Sequence, residues 1–192
     1  MKNSLQPEYF ENVYASNDDP WDFASSEYEA KKYAATLDAL PRKVYTSAFE
    51  IGCAIGVLTE KLAKRCGKLL SVDVSEKALA QARERCESLQ NVRFKLLDIK
   101  EEFPNADFDL ILVSEVGYYL SKDDWQKLMN KIFEHLNKSG QAGLIHWTDF
   151  VEDYPQTGDE IHDSFAEFAR GKFKQIKSKR EKKYRLDIWE KI

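Results

Sequence analysis

Short apolar runs and amphipathic stretches alternate through the middle of the chain. The apolar runs have the length of strands, and they are SAFEIG, KLLSVDV, NVRFKLLDI, FDLILVSEV and AGLIHWT. Between them, apolar side chains recur every three or four residues, which is the spacing of an amphipathic helix. These helical positions are Leu58, Leu62 and Cys66, then Leu79, Ala82 and Cys86, then Trp125, Leu128, Met129, Ile132, Phe133 and Leu136. Strands that alternate with helices predict an α/β fold whose mostly parallel sheet is covered by helices on both faces.

Segments on either side of this core complete the predicted domain. Ser75 and Ser121 stand where helices should begin, and Asp124 after Ser121 resembles a capping box. The stretch IHDSFAEFARG has the pattern of a helix, and FKQIKSKREKK and YRLDIWEKI predict a C-terminal antiparallel hairpin. We predict a Rossmann-like, seven-stranded sheet in a single domain, residues 1–192. Its parts are an N-terminal helical lid segment (1–40), a cofactor-binding core (41–150) and a C-terminal helix and hairpin (151–192).

The composition is typical of a soluble globular protein. Of the 192 residues, 43% are hydrophobic and 32% are charged, and the net charge of −4 gives no general attraction to nucleic acid or anionic membranes. The cysteines form no CxxC pair, so neither a metal site nor a disulfide framework is expected. The first residues lack the apolar core of a signal peptide, and no apolar run has the length of a membrane span. We expect a cytoplasmic protein that acts on a small molecule as a monomer or weak homodimer.

A turn that contains glycines, followed by a carboxylate, indicates a nucleoside cofactor. The sequence EIGCAIG, residues 50–56, stands where the first strand meets a helix, and Asp73 ends the next strand. Glycine lets the backbone approach a ligand closely, and the carboxylate can accept hydrogen bonds from two ribose hydroxyls. Ala54 replaces the middle glycine that a pyrophosphate requires, which favours S-adenosylmethionine over NAD. Asp98, at the end of the third strand, can accept a hydrogen bond from the adenine amino group.

Taken together, these motifs resemble those of class I S-adenosylmethionine-dependent methyltransferases. A narrower resemblance, over residues 8–150, is to the nodulation protein S (NodS) family of N-methyltransferases, through DPWDFASSEYEAKKYAATLDALPR, EIGCAIGVLTEKLAKRC and SEVGYYL. Members of that family methylate the free amine of a partly deacetylated chitin oligosaccharide. The resemblance therefore implies S-adenosyl-L-methionine as the cofactor and an amine as the acceptor.

The resemblance also implies a set of cofactor-binding residues. The turn would pass under the methionine tail, Asp73 would hold the ribose, Val74 would pack on adenine, and Asp98 with the Ile99 amide would contact the adenine edge. Cys53 is interpreted as a small packing residue rather than as a reactive thiol. The predicted set is Glu50, Gly52, Cys53, Ala54, Gly56, Asp73, Val74, Asp98, Ile99 and Ser114, with Trp21, Tyr28 and Lys32 covering the cofactor.

The residues after the fourth and fifth strands are candidates for the acceptor site. An amine is protonated at neutral pH and must lose a proton before methyl transfer, which is a task for a carboxylate or an imidazole. Glu115 is our first candidate for this base and His146 the second, and Tyr118, Tyr119 and Trp147 are predicted to contact the substrate. The alternatives are that Glu115 touches the cofactor or caps a helix, that the tyrosines pack under a loop, and that His146 is a hydrogen-bonded core histidine.

We predict an S-adenosylmethionine-dependent methyltransferase that acts on an amine of a small molecule or carbohydrate, such as a chito-oligosaccharide. Two alternatives are an NAD-dependent oxidoreductase and a catalytically inactive cofactor-binding protein on the same fold. The chain has no complete GxGxxG motif, which disfavours the first. The basic run 172–183 predicts the solvated face of an edge hairpin rather than a site for an anionic partner.

Overall fold

Seven strands form one sheet in the computed structural model, which describes residues 2–192. Strands β1 to β7 are Tyr45–Ile51, Cys66–Asp73, Val92–Leu96, Phe108–Ser114, Leu136–Trp147, Phe173–Arg180 and Tyr184–Lys191. Helices α1 to α6 are Pro7–Ser16, Glu27–Ala39, Val57–Leu62, Glu76–Arg85, Lys122–His135 and Gly158–Phe168. The strands lie in the order β3-β2-β1-β4-β5-β7-β6. The predicted fold class, a mostly parallel seven-stranded sheet with a C-terminal antiparallel hairpin, is confirmed.

The described chain divides into two compact units. Gln6–Asp98 forms one unit, and Ile99–Ile192 with the N-terminal residues up to Leu5 forms the other. In the first unit β1 pairs with β2 and β2 with β3, both in parallel. Ser75 caps α4 as predicted, because its side chain accepts the Ala78 amide at 3.3 Å.

The prediction that placed Cys66 on a helix is wrong. Helix α3 ends at Leu62, a 3₁₀ turn covers Ala63–Arg65, and Cys66 is the first residue of β2, beside Tyr45 of β1. Gly67 follows at once, and glycine is among the residues least favourable in a helix interior. Strand pairing therefore prevails over the apolar spacing at this end of the helix.

Helix α1 was not predicted from the sequence. Pro7 stands in its first turn, which is a common start signal for a helix. Of its ten residues, Tyr14 alone is buried, so the apolar stripe that would reveal the helix is weak.

In the second unit, β5 starts earlier than the run AGLIHWT predicted. β4 and β5 are parallel, whereas β5 with β7 and β7 with β6 are antiparallel. Leu136, expected at the end of a helix, is the first residue of β5 and pairs with Phe108. The register shifts between Phe108 and Leu110, and Ser139 adopts a φ of +61°. This bulge lets the strand continue through a segment that has no strand pattern in the sequence.

Ser121 caps α5 as predicted, but Asp124 does not close the capping box. The Ser121 side chain accepts the Asp124 amide at 3.2 Å. The amide of Ser121 donates instead to Ser4 Oγ at 2.7 Å, and Ser4 donates in turn to Asp124 Oδ2 at 2.6 Å. The Ser4 hydroxyl thus links the backbone amide of Ser121 to the side chain of Asp124.

Residues 2–192 contain neither a helix suited to cross a membrane nor a cluster of metal-ligating side chains. None of the helices there combines the length and the apolar composition needed to cross a membrane. Over the same residues, three or more His, Cys, Asp or Glu side chains nowhere come together as ligands for a metal ion.

Candidate functional site

A tight turn joins β1 to α3 in the unit Gln6–Asp98. Gly52, Ala54 and Gly56 have φ angles of +82°, +48° and +80°, all in the left-handed region. The Gly52 amide donates to the carbonyl of Val72 at 2.9 Å, which ties the turn to β2. At Gly56 a Cβ atom would lie 3.0 Å from Cα of Ala82, so only glycine lets α3 begin this close to α4.

Asp73, the last residue of β2, holds this turn by its carboxylate. Oδ2 accepts the Ala54 amide at 2.9 Å, and Oδ1 accepts the Ser75 amide at 3.0 Å. Burial raises the pKa of Asp73, and the amides of Ser75, Ala54 and Val74 act in the opposite direction. A carboxylate oxygen can accept two hydrogen bonds, so each oxygen can take a further donor such as a ribose hydroxyl.

Glu50 lies at the end of β1 and is completely buried. Its Oε2 accepts hydrogen bonds from the hydroxyls of Thr59 at 2.6 Å and Ser71 at 2.7 Å. Among the described residues, Oε1 has no hydrogen-bond partner. Burial raises the pKa of Glu50 to about 7, although the two hydroxyls lower it. Glu50 thus holds a buried oxygen atom that residues 2–192 leave without a hydrogen bond.

Cys53 lies inside the turn and is buried. Burial first, and then the charges of Asp73 and Glu50, raise the pKa of its thiol well above the ordinary value. A thiol held in its protonated form is a poor nucleophile. Burial and the raised pKa of the thiol suit a packing role for Cys53, which stays a prediction.

Trp21 belongs to an aromatic cluster in the N-terminal part of the same unit. Its ring packs edge-on against Tyr14 with centroids 5.5 Å apart, and it stacks on Phe23 at 5.6 Å. Burial raises the pKa of Tyr14, and Asp73 is the next largest cause. The Asp73 carboxylate therefore helps to keep the Tyr14 hydroxyl protonated.

Lys32 of α2 forms a buried ion pair. Its Nζ lies 2.8 Å from Oε1 of Glu29 and 5.3 Å from the ring centroid of Tyr28. Only 2% of the Lys32 surface is exposed, so its ammonium group interacts with neighbouring side chains rather than with solvent.

The other residues predicted to touch the cofactor lie at strand ends. Val74 and Asp98 are half-buried and follow β2 and β3, and the Leu97 amide donates to the carbonyl of Asp73 at 3.0 Å. Ile99 is half-buried, and Ser114 is the buried last residue of β4. In the unit Gln6–Asp98, the structure brings Asp73 together with Ala54 and with the end of β3.

Glu115 follows β4 in the second unit with a φ of +58°, an uncommon conformation for a side chain of this size. Its amide donates to the carbonyl of Ile145 at 2.8 Å. Its Oε2 accepts two hydrogen bonds of 2.7 Å, from the Tyr118 hydroxyl and from the Trp147 amide. Backbone and side chain together hold this carboxylate in one orientation.

Tyr118 and Tyr119 form a cluster with Tyr154, which the sequence analysis did not predict. The rings of Tyr118 and Tyr154 stack with centroids 5.3 Å apart, and Tyr119 packs edge-on against both. Burial raises the pKa of Tyr118 and Tyr119 well above the ordinary value, so both hydroxyls stay protonated. Tyr154 lies in the loop after β5. Because it follows Trp147 closely in the sequence, it could have been named as a further candidate for substrate contact.

His146 of β5 is completely buried, and both ring nitrogens have partners. The Gly117 amide donates to Nε2 at 3.0 Å, and Nδ1 lies 3.2 Å from Nε2 of His162. This is the arrangement of a hydrogen-bonded core histidine, one of the two alternatives that the sequence left open.

Comparison with known proteins gives a consistent set of matches. A family model described as Nodulation protein S (NodS) matches residues 10–143. Nodulation protein S of Sinorhizobium fredii is 36% identical over 104 residues, and that of Bradyrhizobium diazoefficiens is 39% identical over 104 residues. These matches cover 54% of this chain but 48% and 50% of the two relatives. The chain thus spans about half the length of the curated relatives it matches.

A solved structure extends the likeness to nearly the whole fold. The N-methyltransferase NodS from Bradyrhizobium japonicum WM9, in complex with S-adenosyl-L-homocysteine, superposes with a TM-score of 0.84. The superposition covers 97% of this chain and 99% of the other, at 21% sequence identity. At that identity the likeness establishes a shared fold.

Proposed function

Because the chain belongs to the nodulation protein S family, we propose that it is an S-adenosyl-L-methionine-dependent methyltransferase that methylates an amine. The observation that carries this proposal is the Asp73 carboxylate, which the amides of Ala54 and Ser75 hold beside a left-handed turn. A fixed carboxylate at the carboxyl end of a parallel strand suits the two hydroxyls of a ribose.

The residues of the turn fit S-adenosylmethionine better than a dinucleotide. Ala54 places a methyl group where a pyrophosphate would need the bare backbone of glycine. Glu50 offers its unpaired Oε1 to a polar group of the bound cofactor. We also assign Gly52, Cys53, Gly56, Val74, Asp98, Ile99 and Ser114 to cofactor binding, and Trp21, Tyr28 and Lys32 to its cover.

Glu115 is the residue that we assign as the base. S-adenosylmethionine supplies an activated methyl group when it is bound, so the remaining tasks of the protein are to orient the acceptor and remove its proton. Two donors fix Oε2 of Glu115, and the carboxylate can orient an ammonium group and accept one of its protons. We assign His146 to the support of this region and not to proton transfer, because its Nε2 already accepts the Gly117 amide.

The tyrosine cluster suggests which kind of molecule carries the amine. Tyr118, Tyr119 and Tyr154 provide aromatic faces close to the Glu115 carboxylate, and Trp147 follows in the same unit. Aromatic faces attract cations and stack on sugar rings. An amino sugar within an oligosaccharide therefore suits this region.

Cytoplasmic location and a monomeric or weakly dimeric state stay predictions.

A thermal shift experiment tests the cofactor assignment. S-adenosylhomocysteine at about 100 times its dissociation constant should stabilise the protein by about 2.7 kcal/mol, and NAD should not stabilise it. A shift with NAD but none with S-adenosylhomocysteine would favour the oxidoreductase alternative instead.

A transfer assay tests the acceptor. Tritium from labelled S-adenosylmethionine should pass to fully de-N-acetylated chitotetraose but not to N-acetylated chitotetraose, whose amide nitrogen is not nucleophilic. Glu115→Gln should lower this transfer by roughly 10²-fold or more, while Glu134→Gln on the exposed face of α5 should leave it unchanged. Transfer to both sugars would indicate methylation of oxygen. Binding of S-adenosylhomocysteine without transfer to any amine would indicate an inactive binding protein.

A further inference from the structure

A chain of hydrogen bonds runs through the interior of the second unit. The Gly117 amide donates to Nε2 of His146 at 3.0 Å. Nδ1 of His146 lies 3.2 Å from Nε2 of His162, and Nδ1 of His162 lies 2.6 Å from Oδ2 of Asp187. The three side chains come from β5, α6 and β7, and all three are 0% exposed. We call this chain the histidine relay.

The two ends of the histidine relay determine where each proton lies. A backbone amide can only donate, so Nε2 of His146 carries a lone pair and Nδ1 carries the proton. At the other end, Asp187 also accepts a hydrogen bond from Nε of Arg185 at 3.0 Å, as an ionised carboxylate does. His162 therefore donates from Nδ1 and accepts at Nε2. Both imidazoles are neutral and both are in the Nδ1–H form.

The electrostatics of the pair agree with this assignment. Burial lowers the pKa of His162, and the hydrogen bond to Asp187 only partly opposes it. Burial acts to raise the pKa of Asp187, but hydrogen bonds from His162 and Ser178 lower it overall. The lowered pKa of His162 favours its neutral form, and the lowered pKa of Asp187 favours its ionised form.

The histidine relay ends on the turn that carries Tyr118. A Cβ atom at Gly117 would lie 2.9 Å from Nε2 of His146 and 2.7 Å from Cγ2 of Ile161, so the turn rests directly on the imidazole. The His146 ring also packs edge-on against Tyr118, with centroids 5.5 Å apart. The Tyr118 hydroxyl in turn donates to Glu115. A rotation of His146 would therefore move the donor that orients this carboxylate.

We propose that His162 and Asp187 are positioning residues of the acceptor site, because they fix the tautomer of His146 and thereby hold the Gly117–Tyr119 turn that orients Glu115. The catalytic consequence rests on the proposed function. If His146 carried its proton on Nε2, that proton would point at the Gly117 amide, donor against donor. The turn would then have to move away from the imidazole.

The test replaces the anchor of the histidine relay by its neutral isostere. In Asp187→Asn the amide nitrogen can donate to His162 and reverse the following bonds, as a misplaced tautomer does in other relays. His162→Asn is a second variant, because its amide can still donate to Asp187 but the ring atom Nε2, which accepts from His146, is removed. Asp163→Asn is the matched control, since Asp163 also binds Arg185, at 2.7 Å, but is exposed and outside the histidine relay.

Two readouts separate positioning from simple loss of fold. ¹⁵N NMR of histidine-labelled protein with bound S-adenosylhomocysteine reports each tautomer, and the chain has only 3 histidines to assign. Turnover is measured with de-N-acetylated chitotetraose. In Asp187→Asn we expect His146 to lose its Nδ1–H form, and in both variants we expect kcat to fall on the order of 10²-fold, as for a displacement of about 1 Å. The affinity for S-adenosylhomocysteine should not change.

Several results would overturn the proposal. An unchanged His146 tautomer in Asp187→Asn would show that the anchor does not set it. Normal turnover with an altered tautomer would show that the turn does not depend on it. If the wild-type protein methylated no amine, both the proposed function and the positioning role would be wrong. The histidine tautomers of that protein would still show whether the histidine relay exists.

Discussion

Glu50→Gln should stabilise the protein at alkaline pH. The Glu50 carboxyl is completely buried, and burial raises its pKa from 4.5 to about 7. Between these two values the folded protein keeps a proton that the unfolded chain has released. Raising the pH through this window therefore removes stability, and above pH 7 the full cost of a buried charge remains. Glutamine does not titrate, so the variant avoids this cost.

The size of the effect follows from the two pKa values. One pKa unit corresponds to about 1.4 kcal/mol, so the free energy of unfolding of the wild type should fall by about 3 kcal/mol relative to Glu50→Gln between pH 4.5 and pH 8. The glutamine carbonyl can accept the hydroxyls of Thr59 and Ser71, which keeps the packing intact.

Urea denaturation from pH 4.5 to pH 8 measures this difference directly. Glu87→Gln is the control, because Glu87 is exposed and its loss changes the net charge equally. If the Glu50→Gln and wild-type curves ran parallel across the window, the buried carboxyl would not titrate as we infer. The same variant should bind S-adenosylhomocysteine more weakly, because the unpaired Oε1 is replaced.

Three further predictions concern single contacts. Asp73→Asn should weaken S-adenosylhomocysteine binding by about 10- to 100-fold in calorimetry, because a charged acceptor becomes neutral and an amide donor faces backbone donors; unchanged affinity would remove Asp73 from the site. Gly117→Ala should lower the free energy of unfolding by about 1–3 kcal/mol in urea melts, since its methyl group would clash with Ile161; full stability would show that the turn can shift freely. Tyr118→Phe removes a donor to Oε2 of Glu115, so kcat should fall about tenfold with unchanged cofactor affinity; an unaltered kcat would show that the Tyr118 hydroxyl has no part in the reaction.

The alternation of strands and helices was sufficient to predict the sheet. A parallel strand is buried on both faces, so the middle of β4, Leu110–Val113, appears as an uninterrupted apolar run, and these residues are indeed all buried. The capping serines could also be found, because a cap acts on residues within the same turn of helix.

The boundaries that failed depend on contacts from other parts of the chain. Cys66 and Leu136 each have an apolar neighbour at helical spacing, yet both begin strands, because each pairs with a residue of another strand. Such pairing is decided by the register of the sheet, which a local pattern does not contain.

The same difference between local and distant contacts distinguishes the candidate residues of the unit Gln6–Asp98 from those of the second unit. Asp73 binds a turn that ends the preceding strand of the sheet, and this relation between a strand end and a glycine turn can be recognised in sequence. His146 carries no such mark, since its partners are the Gly117 amide after β4 and His162 of α6, and His162 in turn depends on Asp187 of β7. In the antiparallel register Leu144 lies opposite Asp187 and His146 opposite Arg185, and only this pairing brings the carboxylate within reach of His162. A histidine on an apolar strand could thus be listed as a base or as a core residue, and the choice between them required the register.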